Sequence, residues 1–371
     1  MLAEVPAMQR LRHCALWSAF ICLIAVAAHA GTKSRETSIA AIEGRATALY
    51  EKGKYSEAIA AYQQGANQDS AKSQTSLGLM YATGKGTKRD PEQAFNWISK
   101  AAEQDYAEAE NLLGVMYQNG SGTAQDYAHA LIWYGKAAQH GNPNAENSLG
   151  ILYSQGLGTT QDDPRALAWF SRAADQGLEA AQNNLGSMYF RGQGTAVDYV
   201  RAFAWFSKAA SQGNPNAQHN LGWMYQEGSG TAQDDAQALA WFSKAAQQGF
   251  AAAEDNLGLM YYKGWGTPQD YAQALIWFSK AAQQGSATAQ SNLGYIYLQG
   301  LGVAPDRVQA RTWLMKASDQ GNENARTWLA LLDSQPMPQP LPSLANAPDG
   351  TTQKSMGEQA AAKLPTGGGQ E

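Results

Sequence analysis

The stretch NPNAENSLGILYSQGLGTTQDDPRALAWFSRAADQG, residues 142–177, is one period of a pattern that runs through most of the chain. Asn142 is a good helix N-cap, and Pro143 suits the first helical position, where its missing N–H would have had no partner. Ala145, Leu149 and Tyr153 are spaced i, i+4, i+8 and share one helix face, and Gly156 supplies a stop. A Gly-rich turn leads to Asp162, a second N-cap, and to a second helix carrying Ala166, Trp169 and Ala173, which Gly177 ends. Two helices this short cannot bury their apolar faces alone, whereas stacking on like neighbours does so.

Outward from this unit, Leu-Gly recurs at Leu77-Gly78, Leu113-Gly114, Leu149-Gly150, Leu185-Gly186, Leu221-Gly222, Leu257-Gly258 and Leu293-Gly294, a constant step of 36 residues. A Tyr follows each Gly by three positions, then comes a Gly-x-Gly, and Trp recurs from Trp97 to Trp313 with a basic residue three positions later. Seven units thus fill residues 70–321. The mid-helix Gly needs a reason, because it costs about 1 kcal/mol relative to Ala. The expectation is close approach of a neighbouring helix, with the recurring Trp and Ala filling the space around it.

The pattern A-x-x-x-L-G-x-x-Y-x-x-G-x-G-T, then D-x-x-x-A-x-x-W-x-x-K-A-A-x-x-G, resembles the Sel1-like repeats, relatives of the tetratricopeptide repeats. The resemblance implies an all-α fold, a right-handed α/α solenoid of stacked two-helix repeats used for protein–protein contact. It also implies roles of the kind relatives play in envelope assembly, signalling-receptor regulation and host-cell interaction. Some members carry a cysteine pair bridging each unit. Both cysteines here, Cys14 and Cys22, precede the repeats, so the β-lactam-binding associations of that branch do not carry over.

The flanks differ in character. Residues 1–30 read as a secretory signal peptide: Arg10, Arg12 and His13 lead an apolar run over residues 14–28, and Ala28-His29-Ala30 offers a cleavage site before Gly31. The run is short of the about 20 residues of a membrane span, so the expectation is export to the periplasm with no stable span after cleavage. Secretion beyond the periplasm and retention as an uncleaved anchor are the alternatives. Residues 31–69 read as a degenerate N-terminal helical cap, with Gly53-Lys54-Tyr55 followed by Ala58, Tyr62 and Ala66. Residues 322–334 read as a capping helix that keeps Ala325 and Leu329 but has Ala330 and Asp333 where Gly and Tyr recur. From residue 335 to 371 the chain turns Pro- and Gly-rich and reads as a disordered tail.

Recognisable reaction chemistry is missing from the sequence. The net charge of -5, from 27 basic and 32 acidic residues, argues against a nucleic-acid binder that works by bulk positive charge. His129, His140 and His219 make no familiar metal-ligand spacing, and Gly84-Lys85-Gly86 lacks the Ser or Thr of a phosphate loop. No catalytic, cofactor or metal residue is therefore assigned, and the protein reads as a non-enzyme. The basic series from Lys100 to Lys316 sits near helix C-termini, where a cation suits the dipole, and the Asp series from Asp90 to Asp306 sits where N-caps are needed.

Binding is expected where the repeat varies. On a helical wheel, positions 147, 151 and 154 lie roughly opposite Leu149, Ala145 and Tyr153. By resemblance to related solenoids that face lines a concave groove. In the later units it carries Phe190, His219, Trp223, Tyr262, Tyr295 and Leu298, with Trp265 in a nearby turn. These seven are the candidate partner-binding residues for a protein or peptide. The alternative is a module for peptidoglycan or another polysaccharide, with the same aromatics stacking on sugars.

Overall fold

A computed structural model describes residues 38–334. The expected leader and tail lie outside the described residues. Within them the chain is all-α: 17 helices and no strand, packed in consecutive pairs as the α/α repeat the sequence implies. The chain divides into two compact units, the first ending at Gln161 and the second beginning at Asp162.

In the first unit, α1 (residues 38–51) and α2 (Tyr55–Ala66) precede α3 (Ala71–Thr83), α4 (Pro91–Ala102), α5 (Ala107–Asn119), α6 (Tyr127–Gln139) and α7 (Pro143–Gln155). The second unit runs through α8 (Asp163–Asp175), α9 (Glu179–Arg191), α10 (Tyr199–Ser211), α11 (Pro215–Glu227), α12 (Asp235–Gln247), α13 (Ala251–Lys263), α14 (Tyr271–Gln283), α15 (Ala287–Gln299), α16 (Arg307–Asp319) and α17 (Glu323–Ser334). Odd-numbered helices from α3 to α15 are the first helices of the repeats, and even-numbered ones are the second.

The caps follow from side-chain chemistry. Every second helix of a repeat begins with its Asp accepting a backbone N–H from within the first turn, from Asp90 to Asp306. First helices split into two kinds. Ser70, Asn142, Asn214 and Ser286 accept from the N–H three residues on, whereas Tyr106, Leu178 and Phe250 make no such bond and contribute apolar surface instead.

The core explains the mid-helix glycine, with one correction. A Cβ placed on Gly222 would lie 2.8 Å from Cδ1 and 2.9 Å from Cε1 of Phe242; Gly186 faces Phe206 and Gly258 faces Phe278 in the same way. Tyr134, Ile98 and Leu314 take the aromatic's place in other repeats. The side chain filling the space is thus the one after the recurring Trp. Phe170, Phe206, Phe242 and Phe278 are buried, while the Trp of each repeat stays half-exposed. The inward face of the second helix is Ala166, Phe170 and Ala173, spaced i, i+4, i+7, and Trp169 lies off it.

A second glycine joins one repeat to the next. Gly194 has φ +68, and a Cβ there would lie 2.5 Å from the Asp163 carbonyl oxygen at the start of the preceding repeat's second helix. Gly158 meets the Tyr127 carbonyl group in the same manner at 2.6 Å. The turn is pressed onto a backbone that no side chain would allow it to reach.

At the far end, α17 covers the last repeat with Ala325, Trp328 and Leu332. Arg311 pairs with Asp333, and Arg307 donates to the Leu332 carbonyl at 2.6 Å.

The mid-helix contact gives a direct prediction. Helix propensity alone favours Gly222→Ala by about 1 kcal/mol. Overpacking against Phe242 reverses that sign, so the variant is expected to lose about 1–3 kcal/mol in chemical denaturation. An unchanged or raised midpoint would show that the close approach does not select the glycine.

Candidate functional site

Between consecutive repeats the first helices carry two polar ladders. In the outer one, Gln218 donates Nε2 to the Ala210 carbonyl eight residues back (3.2 Å) and accepts from Gln248 thirty residues on (2.8 Å). Gln74, Gln182 and Gln290 repeat both bonds, with Gln104, Gln212 and Gln320 as their donors. Glu254 stands in this slot and accepts from Gln284 at 2.7 Å; burial raises its carboxyl pKa, partly offset by that bond and by Lys280. In the second repeat the corresponding rung is buried Glu110 with His140 Nδ1 at 2.8 Å. The sequence reading missed this ladder, although its signal was present as a slot occupied only by Gln or Glu.

The inner ladder sits one residue further along. Asn220 Nδ2 donates to Asn183 Oδ1 (3.1 Å), Asn256 Nδ2 to His219 Nε2 (3.0 Å), and Asn292 Nδ2 to Asp255 Oδ1 (3.3 Å). His219 and Asp255 are therefore buried members of a structural stack. Burial pushes the His219 imidazole down to about 4, against a partial offset from the Asn220 side chain. Because Asn256 donates to Nε2, the neutral ring carries its proton on Nδ1, and that atom has no hydrogen-bond partner. Phe242 and Phe250 flank the ring at 5.5 and 5.4 Å. Burial likewise pushes Asp255 up to about 7, with the Asn292 bond opposing.

The seven candidate residues do not share one open face. His219, Tyr262, Tyr295 and Leu298 are buried, where the sequence had suggested exposure. The reason is that the face opposite Leu149 is covered by the next repeat. Asn183, His219 and Asp255 bond to the following first helix, and Trp328 of α17 lies 4.9 Å from the Tyr295 ring. Phe190, Trp223 and Trp265 are half-exposed. Trp265 packs on the core shared by the fifth and sixth repeats, while Phe190 and Trp223 meet edge to face at 5.3 Å. These two, with His219, line one concavity whose other walls are Ser187, Arg191, Phe206, Asn220 and Met224. The structure thus gathers three of the seven into one place and separates the rest.

The recurring basic residues have a role beyond the helix dipole. Lys244 Nζ stands 3.7 Å from the Trp241 ring centre, and the same pairing runs from Lys100 over Trp97 (4.5 Å) to Lys316 over Trp313 (4.2 Å). Each recurring indole carries its own cation. Among the described residues no cluster of three or more His, Cys, Asp or Glu could hold a metal, and no helix is long and apolar enough to cross a membrane.

The two buried titrating groups act in opposite directions on stability. Asp255, raised from 3.8, contributes stability that is full below pH 3.8 and fades as the pH rises towards 7. His219, lowered from 6.5, contributes stability that is full above pH 6.5 and fades as the pH falls towards 4. Each slope is at most about 1.4 kcal/mol per pH unit, so in the intact protein they largely cancel between these limits. Relative to the parent, Asp255→Asn should gain stability as the pH rises from 4 to 7, and His219→Gln should gain it as the pH falls from 6.5 to 4. Denaturation midpoints across that range check both, and parallel profiles for all three proteins would refute the burial effect.

A family model described as the Sel1 repeat matches seven consecutive segments, residues 71–106, 107–142, 143–178, 179–214, 215–250, 251–286 and 287–322. The chain is 39% identical to c5321, described as a protective antigen present in uropathogenic Escherichia coli strains displaying an SLR fold, with a TM-score of 0.70. That match covers 82% of this chain and 64% of the other, so the chain spans less than two thirds of that protein's length. A Sel1 repeat protein from Oxalobacter formigenes is 34% identical with a TM-score of 0.63, over 81% of this chain and 90% of that one. No curated protein matches the chain. The repeated helix pairs, the seven matched segments and these two similar structures establish that the chain belongs to the Sel1 repeat family, a scaffold fold commonly used for protein–protein interaction.

Proposed function

We propose that this Sel1 repeat protein is an exported, non-catalytic scaffold of the cell envelope that holds a protein or peptide partner on its fourth and fifth repeats. The observation carrying this is where exposed apolar surface clusters. Val197, Tyr199 and Val200 are 52%, 44% and 68% exposed. They adjoin the concavity: the Tyr199 ring lies 5.2 Å from Phe190, and Val197 packs beside Gly192. Other exposed large apolar residues, such as Ile132 and Ile276, are scattered singly and need no explanation. Clustered exposure next to a concavity marks an interaction surface.

Export is supported by the leader-like residues 1–30, and an envelope setting agrees with a 39% identical relative described as a protective antigen. The polysaccharide reading has less support. Tyr262 and Tyr295 are buried, and the recurring indoles offer sugars a face already occupied by a cation.

The test is photo-crosslinking in the cells that make the protein, with a benzophenone side chain at Val200 and, as control, at exposed Ala240. The expected result is one discrete protein adduct from position 200, present in an envelope fraction and absent from position 240. Adducts that are equal at both positions, or retention on isolated peptidoglycan without any protein adduct, would overturn the proposal.

A further inference from the structure

We infer that the concavity between the fourth and fifth repeats is an anchor site for one large apolar side chain of a protein partner, whose adjoining main-chain carbonyl accepts a hydrogen bond from His219. This deepens the scaffold reading and rests on it.

Seven copies of one repeat provide their own control. At the position before each capping Asp, three other repeats carry a side chain that turns back to a carbonyl seven residues earlier. Arg89 donates to Ala82, Gln125 to Gln118 and Gln269 to Tyr262, at 3.1, 2.8 and 2.7 Å. The fourth repeat has Val197 there, which cannot donate, and Phe190 is the residue whose carbonyl lies at that distance in sequence. The slot of Trp223 is held by Leu79 and Leu259 in the first and sixth repeats, and that of Phe190 by Gln118 and Gln226 in the second and fifth. Across two successive repeats Phe190 thus replaces an amide, Val197 a donor and Trp223 an aliphatic side chain.

The concavity this makes has a definite chemistry. Phe190, Phe206, Trp223 and Met224 supply apolar walls. His219 lines it while only 6% exposed, with Asn256 fixing its other nitrogen. Its Nδ1–H is a buried donor without an acceptor, which is costly to leave unmet. Nδ1 is covered, so the occupant reaches it only as the side chains around it give way. A sugar would need several polar partners at once. Ser187 and Asn220 already donate to Asn183, so the His219 donor beside apolar walls matches a peptide, in which a carbonyl sits at a fixed distance from each side chain.

The probe is N-acetyl-L-phenylalaninamide, titrated into the full chain labelled with 15N-histidine, whose five histidines leave the His219 Nδ1 signal resolvable. The expected result is a saturable shift of that signal. Acetylglycinamide, which lacks the side chain, and toluene, which lacks the acceptor, should each bind at least about tenfold more weakly. His219→Phe should weaken the probe about fivefold, the scale of one neutral hydrogen bond. Trp223→Leu, a residue two other repeats already carry at this slot, guards against misfolding and should weaken it about tenfold. A His219 signal that stays still, or that moves equally with acetylglycinamide, overturns the inference. The Val200 crosslink separates the two proposals. An adduct that persists undiminished in Trp223→Leu keeps the scaffold and removes the anchor site. Saturable probe binding with no adduct removes the protein occupant.

Discussion

In six of the seven repeats the second helix approaches the first closely enough that a side chain is forbidden at one position. Gly222 against Phe242 typifies it, and the rest of the repeat follows from that contact. With no Cβ in the way, one aromatic ring fills the interior of the pair, and small alanines such as Ala238, Ala245 and Ala246 bring the remaining surfaces together. The helix weakened by the glycine is held by packing rather than by its own propensity. The turn glycine, represented by Gly194 over Asp163, then does between repeats what Gly186 does within one. Two glycines without side chains therefore set two separations, one inside the unit and one between units.

Much of this was legible in residues 142–177. Period, helix pairing, the Asn142 and Asp162 caps and the need for a helix packed against the glycine follow from spacing and cap chemistry. Two readings failed for a shared physical reason. A helical wheel assumes one buried side, but a first helix in a stack is contacted by its own partner and by both neighbouring repeats. His219, Tyr295 and Leu298 are consequently covered on a side that looks free in isolation. Likewise Trp169 and Phe170 are adjacent and both aromatic, and only the actual rotation of α8 decides that Phe170 enters the core.

Of the candidate residues, those that survive as accessible surface are the ones where the repeat contradicts itself. Phe190 and Trp223 meet beside Val197, at the place where an amide clamp used by other repeats is missing. His219 was singled out as a groove residue and instead forms part of the stack, while still lining the concavity. The site is thus built from departures in two neighbouring repeats, which is why no single motif announces it.

The two amide ladders have a further consequence for how such a chain can change over time. Each rung joins a residue to one thirty or thirty-seven positions later, as in Gln218 with Gln248 and Asn220 with Asn183. Gain or loss of a whole unit keeps the same offsets at the new junction, so a Gln, Glu, Asn, His or Asp again faces its neighbour's amide. Gain or loss of a single residue inside a unit would leave buried amides on both sides of the junction without partners. The ladders therefore act as a proofreading gauge on length, tolerant of unequal crossing-over by whole repeats and intolerant of small indels, in keeping with a spacing that stays at 36 from Gly78 to Gly294.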